Sequence, residues 1–167
     1  MKKHLLILVL LISSFAHAQR EIQLDLFDAL ALKTIEVSYE HYLNEQSSVG
    51  IAALLNFEKF SADFKYNEKR AITPFFRHYF TTENNWNFFG EGFFSLNFGE
   101  REIKPIGTGN STYEDYTDGA LGVAAGTKYT SENGLTIAIY GGAGRNLFND
   151  DSPVVVPRVG VSVGWRF

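Results

Sequence analysis

Past residue 20 the chain alternates apolar and polar side chains one for one, in runs of strand length separated by turn-forming clusters. The final run shows it most plainly. Val159, Val161, Val163, Trp165 and Phe167 fall on one face, and Arg158, Gly160, Ser162, Gly164 and Arg166 on the other. A period of two predicts a strand with one apolar face. The same rhythm predicts strands near residues 34–43, 48–57, 72–80, 86–98, 120–129 and 135–140. A further strand over 22–30 carries Ile22, Leu24 and Leu26 on its apolar face, but Asp28 breaks the alternation before Leu30.

Connections alternate in length. Residues 44–47, 81–85 and 131–134 are short, the last holding the tight-turn pair Asn133-Gly134. Residues 58–69, 99–117 and 146–156 are long and polar. Tight turns at one end and long loops at the other are the asymmetry of outer-membrane barrels. The expected fold is all-β, an eight-stranded antiparallel up-and-down transmembrane β-barrel. The short link near residues 31–33 fits that scheme least well.

The weaker face decides what the stronger one meets. In a soluble barrel the polar face would meet water, yet Gly122, Ala124, Gly126, Gly160, Ser162 and Gly164 are poor residues for a solvated strand surface. They suit the crowded lumen of eight strands, wide enough only for side chains. Among them lie Glu36, Glu40, Glu91, Arg77, Lys128, Arg158 and Arg166, which are expected to pair as a luminal charge network because isolated buried charge is costly. Tyr39, Tyr42, Phe80, Trp86, Tyr129, Trp165 and Phe167 lie near the short-turn end, and Phe57, Phe60, Phe98 and Phe148 near the other. Two aromatic girdles at the water interfaces are expected, with Tyr39, Phe80, Trp86 and Tyr129 the core of the first. Pro74 in a strand calls for a bulge or a place near the rim. Arg145 falls on the apolar face, and a register shift at the preceding glycines is the favoured explanation.

The N-terminus changes the picture of where the chain works. Lys2 and Lys3, an apolar core over residues 5–15, and Ala16-His17-Ala18 make an export signal over 1–18, leaving one domain over 19–167. Without those lysines the formal charge moves from −4 to about −6, which argues against nucleic acid as a partner. The chain has no cysteine, hence no disulfides and no thiolate chemistry.

Four pieces carry a resemblance: Ser38-Tyr39-Glu40, Pro74-x-x-Arg77-x-Tyr79-Phe80, Gly141-Gly142-x-Gly144-Arg145, and Gly164-Trp165-Arg166-Phe167. Together they resemble a family of small outer-membrane β-barrels of Gram-negative bacteria, a family defined as a domain of unknown function with porin-like architecture. The resemblance implies that Pro74 is typical of the family, and it brings no activity with it. Gly160, Trp165 and Phe167 resemble, in part, the C-terminal signal read by the barrel-assembly machinery.

No catalytic constellation emerges. His41 and His78 share the apolar parity and no ligand spacing links them, and no nucleophile, base and acid gather on one strand face. No cofactor or metal is expected; Asp150-Asp151 lacks the other oxygens of a calcium loop. The expected role is non-enzymatic: a filled barrel in the outer membrane, with envelope lipid as its surroundings and the loops 58–69, 99–117 and 146–156 free for a surface partner. Lipid-modifying barrel enzyme, soluble periplasmic ligand carrier and narrow channel are the alternatives.

Overall fold

A computed structural model describes residues 19–31, 34–57, 68–82, 85–103, 112–149 and 152–167. They form β1 (Arg20–Asp25), a short helix α1 (Leu26–Ala31), β2 (Thr34–Tyr42), β3 (Ser47–Asn56), β4 (Glu68–Tyr79), β5 (Trp86–Ile103), β6 (Thr112–Thr130), β7 (Leu135–Asn146) and β8 (Val155–Arg166). Each strand pairs antiparallel with the next, and β8 closes onto β1, giving a barrel of eight strands. The expected export signal over 1–18 lies outside the described residues.

Alternation sets the two faces as the sequence pattern requires. Val123, Leu121, Ile139, Phe88 and Ile51 are exposed on the outer face, while Glu40, Arg77, Glu91 and Lys128 are buried in the lumen. Small luminal residues make room for large ones. A side chain on Gly122 would collide with the Phe93 ring, one on Gly126 with Tyr140 and Phe89, and one on Gly50 with Phe75. The glycines on the weak face are thus the hollows into which the luminal aromatic rings pack.

Four expectations need correcting. The first strand does not run to residue 30: it ends at Asp25, whose Oδ1 accepts the backbone N–H of Asp28 at 3.1 Å. A carboxylate placed there caps a helix start, and Leu26–Ala31 turns helical. This helix stands between β2 and β8 where the upper part of β1 would otherwise lie. Second, residues 99–117 are not wholly loop, because β5 continues to Ile103 and β6 starts at Thr112 as one long hairpin, paired from Trp86↔Tyr129 to Ile103↔Thr112. Likewise β4 begins at Glu68, inside the expected loop 58–69, and β8 at Val155, inside 146–156.

Third, Arg145 keeps the outer parity. It pairs with Leu121 and Val155 without a register shift and is exposed. Fourth, Pro74 sits at no bulge and not at the rim. It pairs with Ile51 of β3, while on its other side the ladder passes from Ile72↔Leu96 to Phe75↔Phe93 in unchanged register. The missing donor is absorbed as a local gap in one ladder, with the proline exposed on the outer face.

Candidate functional site: the luminal charge network

All seven charged residues expected in the lumen are there, and they meet. Arg166 bonds Glu21 at 3.1 Å, Glu21 lies 3.2 Å from Lys128, and Lys128 lies 2.6 Å from Glu40. Glu40 continues to Arg77 at 2.8 Å, Arg77 to Glu91 at 2.6 Å, Glu91 to Arg158 at 2.9 Å, and Arg158 to Glu36 at 3.0 Å. The result is one file of charges alternating in sign, base to acid throughout, drawn from β1, β2, β4, β5, β6 and β8. Its four bases and four acids cancel.

Burial makes this cancellation necessary. Lys128 and Arg77 are 1 % exposed and Glu40 is 0 % exposed. Charges so placed persist only when paired and hydrogen-bonded. Glu40 is the hub. Its Oε1 accepts from the Tyr79 hydroxyl and the Ser48 hydroxyl, both at 2.6 Å, and its Oε2 accepts from Arg77, Lys128 and the Gln23 amide. A carboxylate has about four lone-pair directions, and five donors use them fully.

Aromatic rings line the file. The Arg77 guanidinium lies over Phe75 at 4.5 Å and over Phe89 at 4.7 Å, and that of Arg166 lies over Tyr42 at 4.2 Å. These contacts add cation–π attraction in a dry environment. Tyr42 belongs to this interior group: it is buried, donates to Glu21 at 3.0 Å and stacks on Tyr79. Its expected place in the aromatic girdle is therefore wrong. The strand parity that puts Glu40 inside also puts Tyr42 inside, whatever its nearness to a turn.

Glu21, Gln23, Asp25, Tyr79 and Tyr140 complete the network and were not among the candidate residues. Their signal was available, since Glu21, Gln23 and Asp25 alternate against Ile22 and Leu24. Asp28 and Glu68, also buried, lay in a broken strand and in an expected loop, where parity gave no guidance.

The remaining candidates sit on the outer face or near the ends. Tyr39, Phe80, Trp86, Trp165 and Phe167 are exposed, and Trp86 contacts Tyr129 at 5.3 Å between centroids. At the opposite end Phe57, Phe98 and Phe148 are exposed; Phe60 lies outside the described residues. Gly160 is luminal, and a side chain there would strike Asp25 and the Tyr140 hydroxyl. His78 bonds the Ser47 hydroxyl at 3.3 Å and touches Phe80 edge-on. His41 is buried rather than set out against lipid. Among the described residues no three His, Cys, Asp or Glu side chains converge in a metal-holding geometry.

Comparison with known proteins places this architecture. The N-terminal β-barrel domain of Pseudomonas aeruginosa OprF superposes with a TM-score of 0.59 at 12 % identity, covering 90 % of this chain and 96 % of that one. Neisserial surface protein A (NspA) superposes at 0.55 with 15 % identity, covering 90 % and 96 %. The fold is that of the small eight-stranded outer-membrane barrels. No family model and no curated protein matches the chain.

Proposed function

We propose that this protein is a non-enzymatic outer-membrane barrel whose lumen is closed by its own side chains, and that its role is structural or interactive at the cell surface. One observation carries the reading: the neutral file of eight charges from Arg166 to Glu36, buried inside an apolar exterior except for the half-buried Arg166 at its end. Such a file supports a rigid plug, because opening an aqueous path would require separating paired ions in a low-dielectric interior. The apolar outer face and the exposed aromatics near both ends fit hydrocarbon between two interfaces.

In this reading the export signal over 1–18 delivers the chain to the envelope, and Gly160, Trp165 and Phe167 serve recognition by the assembly machinery. Gly160 has a second reason to be glycine, the approach of Asp25 and Tyr140. The short turns then face the periplasm, and the long β5–β6 hairpin with its neighbouring loops faces outward as the surface for a partner.

Two measurements test this. Fractionation with heat-dependent gel mobility should place a compact, heat-modifiable species in the outer membrane. Planar-bilayer recording should give no steady conductance. Recovery of the protein in the periplasmic extract, or a stable ohmic channel, would overturn the reading.

A further inference from the structure

The charges inside the barrel cancel along the file, but the outer wall keeps two of its own. Arg70 on β4 and Arg145 on β7 have the outward parity and are exposed. Among the described residues neither lies within ion-pair distance of a carboxylate. Lys69, next to Arg70, is already bound to Glu100 and lies 3.7 Å from Asp115. A chain of formal net charge −4 thus presents uncompensated positive charge on the wall that faces lipid.

Position along the strands says what these two meet. A strand rises about 3.4 Å per residue and tilts by about 40° in such a barrel, so each residue gains about 2.6 Å of height. Phe80, directly after β4, and Trp165, the row partner of Leu135 on β7, belong to the exposed aromatics of the short-turn end. Arg70 is ten residues from Phe80, and Arg145 is ten from Leu135. Both therefore stand about 26 Å above that end, and the apolar band of an outer-membrane barrel is about 25 Å tall. The outward residues between are Ile72, Pro74 and Phe76 with His78 on β4, and Ile137, Ile139, Gly141 and Ala143 on β7. Two separate strands place an arginine at one level, the far water interface.

Their neighbours suit a cation that reaches from hydrocarbon into headgroups. Leu121 and Val155 flank Arg145 in register, and Leu55 and Phe98 flank Arg70, all four exposed. Such neighbours cover the methylene stem and leave the guanidinium to rise toward water. Its planar fork of N–H donors matches the oxygens of a phosphate. A charge on the lipid face is costly at the midplane and nearly free near the interface. At that level the headgroups supply the counter-charge that the protein does not.

We propose that Arg70 and Arg145 form a cationic outer rim that binds the anionic phosphate headgroups of outer-leaflet lipid. Three strands apart, each takes a headgroup of its own. The level of the rim rests on the outer-membrane reading; its preference for anionic over zwitterionic lipid goes beyond it.

The test is quenching of a single fluorescent label by brominated lipid in vesicles, with heat-modifiability verifying that each variant folds. Ala143→Cys and Ile72→Cys set the label one outward residue below Arg145 and Arg70, and Ile35→Cys sets it on the outward face of β2, away from both. Brominated phosphatidylglycerol should compete for positions 143 and 72 about fivefold better than brominated phosphatidylcholine, the worth of one basic residue at an anionic lipid surface. At position 35 the two lipids should compete equally. The preference at 143 should vanish in Arg145→Gln and survive in Arg70→Gln, and at 72 the reverse. Inorganic phosphate should reduce it no more than chloride of equal ionic strength. Equal quenching by the two lipids at every position, a preference that outlasts the nearby arginine, or its loss to inorganic phosphate alone would overturn the proposal. Absence of quenching by either lipid at all three positions would overturn the membrane reading and the rim with it.

Discussion

At the scale of single residues, the lumen is governed by the cost of leaving one charge without its neighbour. Arg77 bridges Glu40 and Glu91 at 2.8 and 2.6 Å while almost wholly buried. Arg77→Ala should lower unfolding free energy by about 3 kcal/mol or more, read from urea unfolding in detergent; an unchanged midpoint would contradict this account of the file. Gly160→Ala tests packing instead of charge. The new methyl meets Asp25 and Tyr140, and overpacking of this kind costs about 1–3 kcal/mol. Tyr140→Phe, which removes the obstructing hydroxyl, should recover part of that loss in the double variant; strict additivity would argue against the collision.

At the scale of elements, what parity could reach was legible and what it could not reach was missed. Glu36, Glu40, Arg77, Glu91, Lys128, Arg158 and Arg166 were readable as luminal because each lies in a strand of unbroken alternation. Arg145 and Tyr42 were misread where a second consideration, glycine content or nearness to a turn, was allowed to override that alternation. The end of β1 was hidden for a different reason. Asp25 works as a helix cap, and a cap interrupts the period of two without announcing which structure follows. The extent of the β5–β6 hairpin was hidden because its polar sequence, with Gly99, Gly107 and Gly109, carries the composition of a loop.

That hairpin is held beside the segment after β7 by the Leu147 N–H, which donates to the Gly119 carbonyl at 3.0 Å, and by the Asp118 carboxylate. Asp118 accepts the backbone N–H of Gly119 at 2.6 Å, of Phe148 at 2.9 Å and of Asn149 at 3.3 Å, and it also bonds the Ser152 hydroxyl. Asp118→Ala should speed protease cleavage near residues 147–153 severalfold while leaving the heat-modifiable barrel intact. Cleavage at the native rate would show that other contacts hold the segment. At the opposite end Gly134 has φ of 90°, so Gly134→Ala should cost about 1 kcal/mol or more in the same unfolding assay.

At the scale of the whole molecule, the two faces of one sheet obey opposite rules, and closure lets both be satisfied. With no free edge, every strand can offer its apolar side chains outward while the polar ones compensate one another within. Val123 and Ala124 are adjacent on β6, one exposed and the other buried. A cysteine-free chain allows a single label at either position. The decisive measurement is fluorescence of a label at Val123→Cys or Ala124→Cys in liposomes whose acyl chains carry bromine. Strong quenching at 123 and little at 124 is the predicted result. Equal quenching at the two sites, or quenching confined to 124, would contradict the outward apolar face on which the rest depends.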